Sequence, residues 1–181
     1  MKKNLVVSLL VLSLVAVGLA AFGAGGRRGN GAGATSAVAL PAGVAEVVLE
    51  ALVGTDGEYA AYATYAAILE KYGDVQPYAN IMKAEARHIA ALQKLLDRYG
   101  IQYPTVNPYL GKVAVPASLP EAAQAGIDAE KANVSLYEEQ MAVVAEYPDI
   151  VRVFTNLQAA SQNSHLSAFE RALASGGTSG R

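Results

Sequence analysis

The sequence contains no cysteine and carries no excess of positive charge, and both absences restrict what the protein can do. Without cysteine the chain has no disulfides, no thiolate nucleophile, no iron-sulfur cluster, no thiolate zinc site and no lipid-modified N-terminal cysteine. Charged residues make up 17% of the 181 residues, and the formal net charge is -2. This balance argues against nucleic acid as a partner. Any metal bound by this chain must therefore have oxygen and nitrogen ligands.

The motifs of several enzyme classes are also missing. The sequence has no glycine-rich phosphate loop and no serine, histidine and aspartate set of the kind that hydrolases use. We therefore expect neither hydrolase nor nucleotide-binding activity. Histidine is scarce as well, because the chain has only 2, His88 and His165.

Residues 1–23 have the pattern of a secretory signal peptide. Two lysines precede the run from Leu5 to Phe22, which is almost wholly apolar and ends among small residues. Cleavage is expected after Ala20 or Gly23. The alternative is an uncleaved membrane anchor, since the run is close to the lower limit of about 17 residues for a spanning helix. In both cases we expect the folded part to lie outside the cytoplasmic membrane, in a secreted, periplasmic or cell-surface protein.

The rest of the chain divides into a linker, one domain and a short tail. Residues 24–40 are rich in glycine and alanine and predict a flexible linker. Residues 41–175 carry the apolar periodicity of one helical domain. Residues 176–181 are again rich in glycine and serine, which predicts a disordered tail.

Four segments of the domain have apolar residues at helical spacing. The predicted helices run from Pro41 to the Tyr72-Gly73-Asp74 turn, from Asp74 to Tyr99, from the Ser118-Leu119-Pro120-Glu121 capping box to the Tyr147-Pro148-Asp149 turn, and from there to Gly176. Gly54 and Gly57 lie inside the first of them. Since glycine weakens a helix, we expect these two to permit close approach of a neighbouring helix or a ligand.

The segment between the second and third helices has no apolar period. Residues 100–118 include Pro104, Pro108, Gly111 and Pro116, and a structureless segment of this length is uncommon in a compact domain. At about 3.3 Å per residue it could run the whole length of a helix. Two antiparallel helix pairs joined by one long crossover predict an all-α four-helix bundle of the ferritin type.

The second and fourth helices share an internal repeat. In each, an asparagine followed by an aliphatic residue precedes a histidine, and the histidine is followed by an aliphatic residue and an alanine. The asparagine and histidine are eight residues apart in the second helix, Asn80 and His88, and nine apart in the fourth, Asn156 and His165. The extra residue could be absorbed by a π-bulge, which often occurs at functional sites, or the second histidine could be displaced.

The polar residues predicted on the inward faces have the pattern of a metal centre. They are Glu58, Glu85, His88, Glu130, Gln162 and His165. A carboxylate on an apolar face needs a proton, a cation or a metal as its partner. One carboxylate from each of two helices, with a Glu-x-x-His motif on each of the others, is the arrangement of di-iron and di-manganese bundles. Oxygen and neutral imidazole ligands suit iron, manganese or zinc.

The fourth helix departs from that pattern. Gln162 stands where a second bridging carboxylate is expected, and Asn133 competes with Glu130 for the position opposite Glu58. Three carboxylates also supply one negative charge too few for two divalent ions, so a bound hydroxide or a single metal ion is needed for balance. The predicted ligands are Glu58, Glu85, His88, Glu130 and His165, for one or two ions of iron or manganese. Four tyrosines, Tyr62, Tyr65, Tyr78 and Tyr137, are predicted as core aromatics with hydroxyls bonded to buried carboxylates rather than as redox relays.

Several of these motifs resemble those of the secreted, uncharacterised ferritin-like domains of bacteria and archaea. The resemblance covers roughly residues 45–174. It lies in Glu58-Tyr59 with the following tyrosines, the Glu70-Lys71-Tyr72-Gly73-Asp74 turn, the Ala84-Glu85-x-Arg87-His88 motif, Asn156-Leu157 and the pattern from His165 to Phe169. It implies a bundle like that of ferritin and rubrerythrin, with a metal centre in its core.

Two functions remain open at this point. The first is a secreted ferritin-like protein that binds iron or manganese and acts as a metal-dependent oxidoreductase in metal oxidation or in the handling of peroxide or O₂. The second is a non-enzymatic extracellular binding or structural module with a degenerate metal site. The expected partners are metal ions and no nucleic acid, with membrane contact only through an uncleaved N-terminal segment.

Overall fold

A computed structural model describes residues 39–178 of the chain. Its helices are α1 (Ala42–Val53), α2 (Glu58–Tyr72), α3 (Tyr78–Tyr99), α4 (Leu119–Met141), α5 (Pro148–Ala160) and α6 (Leu166–Ala174), and a π-helical turn, Ser161–His165, joins α5 to α6. The predicted signal or anchor at 1–23, the predicted linker up to residue 38 and residues 179–181 of the predicted tail lie outside the described residues.

The helices form a four-helix bundle built from two hairpins. One hairpin pairs α2 with α3, and the other pairs α4 with the continuous rod of α5, the π turn and α6. The pairs meet where α2 contacts α4 and where α3 contacts α5, and α1 extends the first pair by packing on α3. This is the predicted all-α bundle with two antiparallel pairs and one crossover. No described helix is both long enough and apolar enough to cross a bilayer.

The first predicted helix is wrong as one continuous element, because the chain breaks it into α1 and α2. Gly54 has extended backbone angles, φ -62° and ψ 164°, which end α1. A Cβ on Gly54 would lie 2.7 Å from the carbonyl oxygen of Glu50, and one on Gly57 would lie 2.7 Å from that of Ala51. The glycines therefore allow a tight turn against the last turn of α1, rather than close approach of another helix or a ligand.

The crossover runs beside α2 from one end of that helix to the other. Near the start of α2, the hydroxyl of Tyr59 donates to the carbonyl of Pro104 at 2.7 Å. Near its end, the hydroxyl of Tyr72 donates to the carbonyl of Pro116 at 2.8 Å. Residues 100–118 contain no helix or strand, so these side-chain bonds satisfy backbone groups that secondary structure would otherwise pair.

Local sequence signals explain most of the other helix ends. The Ser118 hydroxyl accepts a hydrogen bond from the backbone N–H of Glu121, as a capping box requires. Gly100 ends α3 in the left-handed conformation, φ 68°. Two boundaries differ from prediction: α3 begins at Tyr78 rather than Asp74, and α4 ends at Met141, before a turn that leads to α5.

The first residues of the predicted tail are packed against the domain. The backbone N–H of Gly177 donates to the carbonyl of Ala172 at 2.7 Å, and the carbonyl of Gly177 accepts from the Tyr78 hydroxyl at 2.9 Å. Gly177 has φ 101°, and a Cβ there would lie 2.2 Å from the backbone of Leu119. The packed part of the chain therefore extends at least to Gly177.

Two apolar clusters fill the bundle. One contains Tyr137 and Phe154 with residues of α1, α3 and α5, and the other contains Tyr65 and Phe169 with residues of α2, α3 and α4. Tyr137 and Tyr65 are both fully buried, and both direct a hydroxyl at a buried carboxylate. The polar centre is therefore in contact with both clusters.

Candidate metal centre

The structure brings all five predicted ligands together inside the bundle. Glu58 lies on α2, Glu85 and His88 on α3, Glu130 on α4 and His165 at the end of the π turn. The three glutamates are 1–2% exposed and His165 is 5% exposed, while the side chain of His88 is 12% exposed. Buried carboxyl groups are costly unless they are paired, and here each one has partners.

Glu85 is the central member of the cluster, because it contacts both histidines. Its Oε2 lies 3.0 Å from Nδ1 of His88, and its Oε1 lies 3.1 Å from Nδ1 of His165. Each histidine also contacts a second carboxylate: Nδ1 of His88 is 3.2 Å from Oε2 of Glu58, and Nδ1 of His165 is 3.3 Å from Oε2 of Glu130. The two imidazole rings stack with centroids 5.6 Å apart.

The ligand atoms form two overlapping groups of three. Glu58, Glu85 and His88 form the first group, and Glu85, Glu130 and His165 form the second. Within each group the candidate ligand atoms lie within 4.8 Å of one another. Two donors on one ion, each at about 2.0–2.2 Å, lie at most about 4.4 Å apart, so the grouping of these atoms is compatible with one ion in each group.

Two tyrosines hold the outer carboxylates across the helix pairs. Tyr137 on α4 donates to Oε1 of Glu58 on α2, and Tyr65 on α2 donates to Oε1 of Glu130 on α4, both at 2.6 Å. In each helix the tyrosine follows the glutamate by seven residues. That shared spacing marks α2 and α4 as a second repeat, which the sequence prediction did not use.

Glu58 and Glu85 differ in proton affinity. Burial, followed by the negative charge of Glu85 and a hydrogen bond with it, raises the pKa of Glu58 to about 7, against the opposing effect of His88. Burial also acts to raise the pKa of Glu85, but hydrogen bonds from Glu58, His165 and His88 outweigh it and hold that pKa low, at about 2. Glu85 is therefore the permanent anion of the cluster.

Both histidines bind protons strongly in the absence of metal. Burial acts to lower the pKa of His88, but hydrogen bonds to Glu58 and Glu85 raise it to about 10. For His165 the same burial effect is outweighed by hydrogen bonds to Glu130 and Glu85, which raise its pKa to about 9. Burial and the nearby carboxylates also raise the pKa of Tyr65 and of Tyr137 well above the ordinary value. In the metal-free cluster, two imidazolium ions therefore face three carboxyl groups.

The fourth helix differs from the prediction at Gln162, which is exposed and does not face the centre. The inward position belongs to Ser161, which is 2% exposed. Ser161 follows the repeat asparagine Asn156 by five residues, as Glu85 follows Asn80. Counting forward from the asparagine identifies this position, whereas counting back three residues from His165 crosses the π turn and gives Gln162. Serine therefore stands where the repeat would place a second bridging carboxylate.

The π turn explains how His165 still reaches the centre. It spans Ser161–His165, and the wider turn accommodates the one residue by which the spacing of Asn156 and His165 exceeds that of Asn80 and His88. Of the two alternatives raised by the sequence, the π-bulge is confirmed and displacement of the histidine is wrong.

Asn133 does not replace Glu130 as a ligand but bridges neighbouring elements. Its Oδ1 accepts from the Ser161 hydroxyl at 2.8 Å, and its Nδ2 donates to the carbonyl of Asp56 at 3.1 Å. It therefore connects α4 to the π turn and to the turn between α1 and α2. Of the four tyrosines predicted to bond carboxylates, Tyr65 and Tyr137 do so, whereas Tyr78 bonds backbone carbonyls of Leu119 and Gly177.

The donor set suits divalent metals of intermediate hardness. Three carboxylates and two imidazoles are the ligands of iron, manganese and zinc sites, and the chain has no cysteine to offer a softer ligand. Nδ1 of each histidine points between two carboxylates, so loss of its proton would leave a nitrogen lone pair directed into each group. The cluster is therefore compatible with metal binding.

Comparisons with known proteins agree with this fold. Residues 51–180 match a family described as an uncharacterized protein domain, DUF2202. A hypothetical protein from Methanococcus jannaschii DSM 2661 is 25% identical, with a TM-score of 0.63 over 75% of this chain and 82% of that one. The bacterioferritin of Desulfovibrio desulfuricans, which has a diiron site, is 24% identical, with a TM-score of 0.59 over 74% of this chain and 79% of its own. These likenesses confirm the ferritin-like four-helix bundle. No curated protein matches the sequence.

Proposed function

The chain belongs to the DUF2202 family of uncharacterized domains, and we propose its function from its own residues. The protein binds iron or manganese, as one or two divalent ions. The ligands are Glu58, Glu85, His88, Glu130 and His165. The observation that carries this proposal is the pair of ligand groups that share Glu85, with their candidate ligand atoms within 4.8 Å. The diiron site of the bacterioferritin is consistent with it, but that likeness supports the fold alone.

The residues would have different roles in such a centre. Glu85 would serve both ligand groups, because its two oxygens face different histidines. Glu58 and Glu130 would be the outer ligands, each held by a tyrosine hydroxyl. The buried position excludes bulk water and strengthens every electrostatic contact. When bound, a redox-active metal would supply electron transfer to small oxidants, and we therefore propose metal oxidation or the handling of O₂ or peroxide as the activity.

A purely structural role is favoured by one observation. Each of the six oxygens of the three glutamates lies within 3.3 Å of a tyrosine hydroxyl or a histidine Nδ1. Two tyrosine hydroxyls and two imidazolium groups therefore contact all three carboxyl groups without metal, and such a network can specify a unique packing. In this alternative the protein is a helical binding or structural module that retains the polar core without metal.

Elemental analysis separates the two functions. The purified protein is loaded anaerobically with Fe(II) or Mn(II), desalted and assayed for metal per chain, beside Glu85→Ala and His88→Ala. Glu50→Ala is the matched control, because Glu50 is a glutamate on α1 outside both ligand groups. We expect close to one or two ions in the parent and in the control, with a loss in both site variants. Less than about one ion per ten chains in the parent, or no loss of metal in the site variants, would contradict metal binding and favour the structural module.

We propose further that the domain works outside the cytoplasmic membrane. The support is the sequence of residues 1–23, with lysines before a long apolar run. Fractionation of cells that express a C-terminally tagged chain, followed by N-terminal sequencing of the product, tests this. A product that begins after Ala20 or Gly23 supports secretion, an intact membrane-bound product supports an anchor, and an intact product in the cytoplasm contradicts both.

A further inference from the structure

A small cleft between α2 and α4 leads from the surface to the candidate metal centre. Its volume is about 60 Å³, and two of the proposed ligands, Glu85 and Glu130, form part of its wall. The remaining lining residues are Thr55, Asp56, Ala60, Ala61, Thr64, Ala129 and Asn133. The cleft therefore joins the exterior to the ligand group of Glu85, Glu130 and His165.

The size of the cleft suits a few water molecules or a small ion. A cavity needs about 10–15 Å³ to hold one water molecule, so about 60 Å³ accommodates a few waters or a partly hydrated ion. The side walls are made of alanines, Ala60 and Ala61 on α2 and Ala129 on α4. Larger side chains at these positions would close the cleft.

The mouth of the cleft carries oxygen donors and a negative charge. Thr55 and Asp56 are exposed in the turn between α1 and α2, and Thr64 and the buried Asn133 also line the cleft. The carbonyl of Asp56 is held by Nδ2 of Asn133 at 3.1 Å, and Asn133 is in turn bonded to Ser161. This chain of bonds fixes the turn that carries Asp56 relative to α4.

We propose that this cleft is the port through which divalent metal ions reach Glu85 and Glu130, with Asp56 as the first residue that attracts them. The inference rests on the proposed metal binding and adds the route. Hydroxyl, carboxylate and amide oxygens occur along the lining, so an ion could exchange its waters stepwise. The competing route is the half-buried edge of His88, whose side chain is 12% exposed.

Loading kinetics test the route separately from binding. The probe is Co²⁺, whose visible absorption changes on coordination, mixed with the full chain in a stopped-flow instrument. Ala129→Leu and Ala60→Leu plug the cleft from opposite helices. Ala91→Leu is the matched control, because Ala91 is a half-exposed alanine in a groove between α3 and α5 that contains none of the five ligands. Equilibrium affinity for Co²⁺ is measured for every variant.

We expect both plugs to slow loading by about tenfold or more while the affinity changes less than about threefold, since a gate alters rates and not the end states. The control should load at the parent rate. Asp56→Asn should slow loading by about two- to fivefold at low salt, and added salt should abolish that difference.

The outcomes are distinguishable from failure of the proposed function. A parent chain that binds no Co²⁺, Fe²⁺ or Mn²⁺ at equilibrium contradicts both proposals. A parent that binds, with both plugged variants loading at its rate, overturns the port alone and favours the His88 edge. Equal slowing by Ala91→Leu also overturns it. If Ala129→Leu lowers the affinity for Co²⁺ or the helix content, the loading rate of Ala60→Leu, which narrows the cleft from the other helix, tests the port.

Discussion

The two helix pairs of the bundle have matching candidate metal ligands, with one difference. Each pair offers an outer glutamate, Glu58 or Glu130, and a histidine, His88 or His165. The α3 position that holds Glu85 corresponds to serine in the π turn, Ser161. The first pair therefore has three ligands of its own, whereas the second has two and shares Glu85.

This difference shows how a repeat can lose one ligand and keep its geometry. The missing carboxylate is replaced by a hydroxyl that bonds Asn133, so no unpaired charge is left in the core. His165 still reaches Glu85 at 3.1 Å because the π turn takes up the extra residue. The comparison therefore predicts a stronger ion position in the first pair and a dependent one in the second.

The largest expected effect separates the two pairs directly. His88→Ala removes a ligand from the complete group, and His165→Ala removes one from the dependent group. Changes to groups that only hydrogen-bond to metal ligands already cost about 10–100-fold in metal affinity, so we expect His88→Ala to lower the affinity for the most tightly bound ion by at least about 100-fold. His165→Ala should mainly lower the number of ions bound. Competition titration with a chromogenic chelator measures both, and equal loss in the two variants would mean that the pairs bind as one unit.

Sequence alone was sufficient for the architecture and for the identity of the five clustered residues, because both depend on short-range periodicity. The crossover followed from four helix breakers, and the inward glutamates and histidines followed from helical spacing. The break at Gly54 and Gly57 was not predictable in the same way, because a glycine can weaken a helix or end it, and the choice depends on how α1 packs on α3.

The fourth helix shows a different limit. Gln162 was predicted inward because three residues separate it from His165, which is correct for an α-helix and wrong across a π turn. The repeat asparagine, Asn156, was the safer reference because it precedes the irregularity. The pairing of Tyr65 with Glu130 depends on which helices lie side by side, and periodicity within one helix cannot supply that.

The second prediction concerns protons that metal must displace from both pairs. The pKa of His88 is raised to about 10, that of His165 to about 9 and that of Glu58 to about 7. At neutral pH both histidines are therefore protonated, and metal ligands must lose their protons. We expect two to three protons released at pH 7 when both groups fill, because Glu58 is about half protonated there, and an apparent affinity that rises with pH up to about 10. Calorimetry in buffers with different ionisation enthalpies counts them.

The same pKa values predict how the metal-free protein responds to pH. The raised pKa of each histidine contributes stability that is present below its ordinary pKa and is lost as pH rises through about 9–10. The raised pKa of Glu58 acts in the same direction and its contribution is lost as pH rises through about 7. The lowered pKa of Glu85 acts oppositely, with a contribution lost as pH falls toward about 2. In chelator, the midpoint of thermal unfolding should therefore fall between pH 7 and pH 10, and a constant midpoint would contradict these assignments.

The next prediction removes the hydroxyl groups of the two tyrosines that link the pairs. Tyr137→Phe leaves Oε1 of Glu58 without its donor, and Tyr65→Phe does the same to Glu130. Loss of one partner from a buried polar pair costs about 1–3 kcal/mol, and both changes should lower the free energy of unfolding by that amount. Urea unfolding measures it, and Tyr103→Phe is the control because its hydroxyl donates to the carboxylate of Asp97 in an exposed hydrogen bond.

The smallest effect is expected from making the second pair regular. Asn163 is exposed within the π turn, and its deletion leaves Asn156 and the histidine eight positions apart, as Asn80 and His88 are in α3. Because a π-bulge is one residue inserted in an α-helix, the deletion should restore a continuous helix without turning α6 away from α4. We expect stability to change by less than about 1 kcal/mol and the histidine to stay in contact with Glu85. Adding Ser161→Glu to the deletion recreates Ala-Glu-x-x-His, and it should raise the number of ions bound if serine is what limits the second pair. An unfolded deletion variant, or unchanged metal content in the double variant, would show that the π turn and Ser161 do more than fill the place of the lost carboxylate.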